Sequence, residues 1–150
     1  MADPAFHRIL VPTDFSTCAE AAWSLARRLA GATGAELVLA HVLVETPLYA
    51  EGPFSMDRAQ HVYEAARKWG EEALEDWVAK SRSGGSGARA VMRTGVPYQE
   101  IVALADGEQA DLIVIGTHGR GGIDRALLGS VADRVVRLAP CPVLTVREAA

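Results

Sequence analysis

A parallel β-sheet covered by helices on both faces is the fold class this sequence predicts, and three observations predict it. Runs at 8–13 (RILVPT), 36–44 (ELVLAHVLV) and 111–116 (DLIVIG) are apolar without alternation, the pattern of strands buried on both sides. Weaker strand-like runs stand at 88–93 (ARAVMR) and 142–147 (PVLTVR). Between consecutive runs lie segments with apolar residues spaced by three and four, the period of an amphipathic helix. Strands alternating with helices imply parallel pairing through right-handed crossovers.

In chain order, the first strand ends in Pro12, Thr13 and Asp14. The first helix follows with Cys18, Ala21, Ala22, Leu25, Ala26 and Leu29 on its apolar stripe, and Arg27 and Arg28 off it. Gly34 supplies a stop. After the second strand, 45–55 carries two prolines and a glycine, which predicts the longest loop. Ala59, Val62, Ala66, Trp69, Ala73 and Trp77 then trace a longer helix, ended by SGGSG at 83–87. Pro97 suits the first turn of a short helix carrying Ile101, Leu104 and Ala105. Val131, Val135 and Leu138 mark the last helix, halted by APCP at 139–142. The three tryptophans fall at or beside helical spacings and are expected to pack. His41, inside a strand, is expected to be packed or hydrogen-bonded.

The chain has 150 residues, 49% hydrophobic and 23% charged, which suits a single domain over 1–150 with a substantial core. A net charge of -4 argues against a nucleic-acid binder that works by neutralising phosphates. Cys18 and Cys141 have no metal or redox spacing, so both read as reduced structural thiols of a cytoplasmic protein. MADPAFHRILVP at the start has no basic patch before a long apolar segment, so a signal peptide is not expected there. The apolar stretches are strand-sized, far short of a membrane span.

Open parallel sheets bind ligands beyond the carboxyl ends of their strands, where the strand order reverses. Two loops at such ends are chemically loaded. One is PTDFS at 12–16; the other lies within 114–130, which holds five glycines in seventeen residues. Gly116, Gly119, Gly121 and Gly122 allow successive amides to turn toward an anion with no side chain in the way. Gly129 and Ser130 precede the last helix, whose free N–H groups favour anions, and Arg120 and Arg125 add positive charge. The alternative is a glycine turn with no ligand. Ser130, Val131, Ala132 and Asp133 also fit a capping box, either alone or with a phosphate contact besides. There is no GxxxxGK[ST], and no GxGxxG follows the first strand, which removes the Walker and dinucleotide-binding fingerprints. SGGSG sits away from the expected crevice and reads as a linker.

Gly116, Gly119, Gly129 and Ser130 together spell G-x2-G-x9-G-[ST]. With ILVPTDFS at 9–16, ADLIVIGTHGRGG at 110–122 and GSVADRVVRLAPCPVLTVR at 129–147, the chain resembles the universal stress protein family, specifically its ATP-binding branch. The resemblance covers nearly the whole chain, with 45–89 the least distinctive part. It implies a five-stranded parallel sheet in the order 3-2-1-4-5, of the adenine nucleotide α-hydrolase-like, Rossmann-like type. It also implies a homodimer paired through the last strand, about Pro142 to Arg147, where a second copy satisfies a free edge.

Carried onto this sequence, the resemblance places adenosine near Pro12, Thr13, Asp14 and Val42. The backbone of Thr13 or Val42 would meet the adenine edge, and Asp14 would hold the ribose or a metal-bound water. Phosphates would lie against Gly116, Thr117, His118, Gly119, Arg120, Gly121 and Gly122, then Gly129, Ser130 and Val131. The implied nucleotide is ATP, with ADP and AMP as alternatives, accompanied by Mg²⁺ through the phosphates. Asp14 has a second reading as a helix cap. His118 reads as a loop residue near phosphate rather than a base, since no Ser or Cys partner stands at triad spacing.

Three functions fit: an ATP-binding regulatory homodimer of the stress response, a slow ATP hydrolase or nucleotidyl transferase, and a nucleotide-free dimeric scaffold. Efficient phosphoryl transfer needs a positioned base and organised metal ligands, and no residue of the motif stands out as that base. Binding is therefore favoured over dedicated catalysis, with weak hydrolysis retained. The intact glycine motif argues against the scaffold. Catalytic residues, protein metal ligands, nucleic acid and membrane are not expected.

Overall fold

In the computed structural model, residues 3–44, 53–82, 87–119 and 127–148 are described, with side chains in the second segment from residue 58 onward. The elements are β1 (Arg8–Pro12), α1 (Thr17–Thr33), β2 (Glu36–Val44), α2 (Pro53–Arg82), β3 (Ala88–Gly95), α3 (Pro97–Gly107), β4 (Leu112–Gly116), α4 (Ser130–Leu138) and β5 (Val143–Val146). Every strand pair is parallel, and the order is β3-β2-β1-β4-β5. The chain starts in the central strand, builds to one edge, then crosses back past β1 to β4. Between β1 and β4 the winding reverses.

Alternation along the strands divides the core in two. Ile9, Val11, Leu37, Leu39, Leu112 and Val114 face the side covered by α1 and α2; Leu10, Val38, Ala40, Ile113 and Ile115 face the side of α3 and α4. Both faces are dry, which is why these strands read as unbroken apolar runs. α1 approaches closely because its buried side is mostly alanine: Ala19, Ala22, Ala26 and Ala30, with Cys18 and Trp23. The expected stripe is therefore displaced, with Leu25 and Leu29 only half-buried. In an alanine-rich helix the apolar arc is wide, and burying the largest apolar surface, that of Trp23, decides which part faces in.

The helix signals at 34 and 97 act as expected. Gly34, at φ +78°, donates its N–H to the Ala30 carbonyl and stops α1 in a left-handed turn. Pro97 stands in the first turn of α3. Other boundaries move. α2 begins at Pro53, so the end of the expected 45–55 loop is helical, and 45–52 lies outside the described residues. The SGGSG linker lies outside them too, apart from Gly87. β3 extends to Gly95, and β5 is trimmed to four residues. β1 stops at Pro12, though Thr13 still donates its N–H to the Ala40 carbonyl at 2.7 Å. Leu138, expected on the buried face of α4, is 56% exposed, because it ends the helix beyond the stretch where Ala132 and Val135 meet the sheet.

The amino end of the sheet is closed by charge pairs that periodicity did not announce. Glu36 accepts from Arg8 Nε at 2.9 Å and from Arg89 Nε at 2.7 Å. Glu108, at the end of α3, receives Arg89 through both guanidinium Nη atoms, one at 3.2 Å. Hydrogen bonds from Arg89 hold the Glu36 and Glu108 carboxyls below their ordinary range. Burial would raise Asp111, but the N–H groups of His7 and Arg8 and the His7 ring outweigh it and hold that carboxyl down. Cys18 and Cys141 are both free thiols, and burial pushes the Cys141 thiol up. No described helix is long and apolar enough to cross a membrane.

Candidate functional site

Where β1 and β4 part, a cleft of about 750 Å³ opens at the carboxyl end of the sheet. Pro12, Thr13 and Asp14 form its floor, Val42 and its neighbours one side, and Gly116 to Gly119 with Gly129 to Ala132 the other. Ala66 and Trp69 of α2 and Pro97 and Ile101 of α3 complete the walls. The structure thus gathers every described residue of the expected site. Arg120, Gly121, Gly122 and Arg125 lie outside the described residues.

The floor is a turn built by its own side chains. Thr13 Oγ1 accepts from the Phe15 N–H at 2.9 Å, and Asp14 Oδ1 from the Ser16 N–H at 3.0 Å. These bonds support Phe15 in the left-handed region at φ +63°, a conformation that costs a non-glycine residue about 1 kcal/mol or more. Ser16, not Asp14, caps α1, its hydroxyl accepting from the Ala19 N–H at 3.2 Å. The helix-cap reading of Asp14 is therefore corrected: its carboxylate shapes the turn and reaches toward Gly119.

Val42 owes its interest to strand parity. The Glu36 N–H bonds His7 on the β1 side, the Leu37 N–H bonds Gly87 toward β3, and Ala40 accepts from Thr13. Even-numbered residues of β2 therefore present their backbone toward β1. At Val42 that neighbour has already ended, so one N–H and one C=O face the cleft together. The backbone of Thr13 is more committed. Its N–H is spent on Ala40, and its carbonyl accepts from His41 Nδ1 at 2.8 Å. His41 is hydrogen-bonded, as its place in a strand suggested.

On the opposite wall, the glycines serve two purposes. A Cβ at Gly116 would stand 2.8 Å from the Cys18 carbonyl carbon, and one at Gly129 would stand 2.8 Å from the Thr117 carbonyl oxygen. Both positions are needed so that one stretch of backbone can approach another, rather than to leave space for a ligand. At Gly119, among the described residues, a Cβ would meet only the tip of Asp14, with Oδ2 at 2.6 Å. The Gly129 N–H closes the base of the loop by donating to the Thr117 carbonyl at 2.7 Å.

α4 begins without a side-chain cap. The capping box expected of Ser130 and Asp133 does not form. Gly129 is the cap residue, Ser130 is already the first helical residue, and the Asp133 carboxylate pairs with Arg137 at 3.2 Å. The Asp133 N–H makes the first intrahelical bond, to Gly129, so the amides of Ser130, Val131 and Ala132 have no intrahelical acceptor. All three residues line the cleft, and Ser130 is the exposed one among them. His118 Nδ1 lies 3.0 Å from Thr117 Oγ1, while its buried Nε2 finds no hydrogen-bond partner among the described residues.

Among the described residues lining the cleft, Asp14 is the only carboxylate, and there is no Lys or Arg. No described cluster of three or more His, Cys, Asp or Glu could hold a metal by itself. One carboxylate beside free helix-start amides fits a cation such as Mg²⁺ only where that ion takes most of its ligands from water and a bound anion.

The sequence profile of the universal stress protein family matches residues 5–147. The chain belongs to that family. Universal stress protein MJ0531 of Methanocaldococcus jannaschii is 37% identical over 146 residues, spanning 95% of this chain and 83% of that one. The solved structure of protein MJ0577 of the same archaeon superposes with a TM-score of 0.84 at 27% identity, covering 96% of this universal stress protein and 97% of the other. A universal stress protein solved in complex with cAMP gives a TM-score of 0.65 at 27% identity, covering 97% and 99% of the two chains.

Two features of the site were missed in the sequence. Trp69 packs edge-on against Phe15, as expected, but helical spacing does not show that it stays 47% exposed on the cleft wall while Trp23 is buried. The turn formed by Thr13 and Asp14 was legible in principle, since both residue types bond their own backbone two residues on.

Proposed function

We propose that this universal stress protein binds an adenine nucleotide, ATP in the first place, and acts as a nucleotide-dependent regulatory homodimer. The observation that carries the reading is the polarity of the cleft. At one end, paired backbone donor and acceptor groups of Val42 suit the edge of adenine, which offers an acceptor ring nitrogen beside a donor amino group. At the other, three helix-start amides and Ser130 suit phosphate oxygens. Asp14 lies between them, where a ribose or a phosphate-bound cation would stand. Mg²⁺, when bound, would neutralise phosphate charge. The cAMP complex of a relative supports the nucleotide class, and the family motif supports ATP. Pairing through the edge of β5 is the proposed route to the dimer.

Binding is favoured over dedicated catalysis because the phosphate end offers amides and a hydroxyl rather than a paired base and metal cage. Slow hydrolysis is the second reading, favoured by the buried His118 Nε2, which has no hydrogen-bond partner among the described residues. Calorimetric titration with ATP, ADP and AMP tests the first reading; no binding by any of them defeats it. Phosphate release equal in wild type and His118→Ala removes that histidine from hydrolysis.

A further inference from the structure

We infer that Trp69 forms the aromatic wall of the base subsite, with the nucleobase packing against its indole; this rests on the nucleotide reading above. A base held by its edge to the Val42 backbone lies in the continuation of the sheet plane, beyond the end of β1. Its two flat faces then look toward the two layers of helices. On one side α3 offers the aliphatic surface of Pro97 and Ile101; on the other α2 offers Trp69.

The indole is held in place by a train of rings. Phe15 stands edge-on to Trp69 at 5.1 Å and to Trp77 at 5.4 Å, and its ring centroid is 4.8 Å from that of His41. His41 in turn donates to the Thr13 carbonyl, so the α2 wall is tied to the floor that carries Asp14. Gly70, beside Trp69, allows this approach: a Cβ there would stand 2.8 Å from Met92 Cε and 3.1 Å from His41 Cδ2. Indole, unlike the alanines around it, can stack on a nucleobase with a broad polarisable face.

The test compares ATP affinity by calorimetry across variants that keep or remove the ring. Trp69→Ala weakens ATP binding by about 5- to 150-fold, the range for removing one base–aromatic stack. Trp69→Phe stays close to wild type, whereas Trp69→Leu, which keeps apolar bulk without a ring, behaves like Ala. ATP also quenches tryptophan emission in the wild type and loses most of that effect in Trp69→Phe. Equal affinity in wild type and Trp69→Ala overturns the proposal, and so does a Leu variant that binds as well as Phe, since bulk alone would then suffice. If the wild type binds no adenine nucleotide at all, the functional reading falls with it.

Discussion

The two ends of one sheet are built on opposite plans. At the amino end, side chains join the strands: Arg8, Glu36 and Arg89 start neighbouring strands and meet Glu108 from the end of α3. At the carboxyl end, backbone groups face a cleft. The cause is topological. β1 feeds a helix on one face and β4 feeds a helix on the other, so the strands part there, while at the amino end their starts lie side by side. Cross-strand ion pairs and the proposed binding cleft thus stand at different ends, and variants can separate them.

The largest expected effect is on binding. Gly119→Val brings a side chain against the Asp14 tip and into the proposed phosphate end of the cleft, and ATP affinity should fall about 10- to 150-fold, as for loss of a hydrogen bond to a charged group. The urea midpoint should stay near wild type, because a Cβ at Gly119 meets no backbone among the described residues. A large drop in that midpoint would break the separation of the two ends. Next, Gly116→Ala forces a methyl group against the Cys18 backbone, and should cost about 1–3 kcal/mol by denaturant unfolding. If it costs nothing, the close approach of α1 to β4 is not needed.

At the other end, Arg89→Met should lose about 1 kcal/mol, because its pairs are partly exposed and screened. ATP affinity should not change; a change would mean that the ends communicate. The smallest effect is a pH slope. The carboxyls of Glu36, Glu108 and Asp111 are held low in the folded state, so the unfolded chain takes up their protons first. Their contribution is complete above the unfolded carboxyl range and is lost as acid titrates the folded groups, below about pH 4. Urea midpoints measured from neutral pH down to about pH 3 should decline through that interval, and Glu36→Gln should flatten the decline.

Much of this molecule was legible in one dimension. Dry strands such as 36–44 declare themselves by unbroken apolar runs, and Gly34 and Pro97 act through local backbone geometry that needs no partner. The family motif marked the carboxyl-end loops for the same reason: residue type and spacing survive without coordinates. Ser130 and Asp133 show where local pattern misleads. A capping box is a statement about four residues, and here the Gly129 contact with Thr117, twelve residues earlier, starts the helix elsewhere. Trp69 fails differently, because helical periodicity cannot tell where the sheet beneath a long helix comes to an end.

The sequence by itself determined the alternation of elements, the two-sided core and the family, since these depend on periodicity and local chemistry. Only the tertiary structure decided which backbone groups Val42 turns to the cleft, why Gly116 and Gly129 have no room for a side chain, and how Arg89 meets two carboxylates. Each of those depends on distance between segments far apart in the chain, a quantity that composition and spacing do not contain.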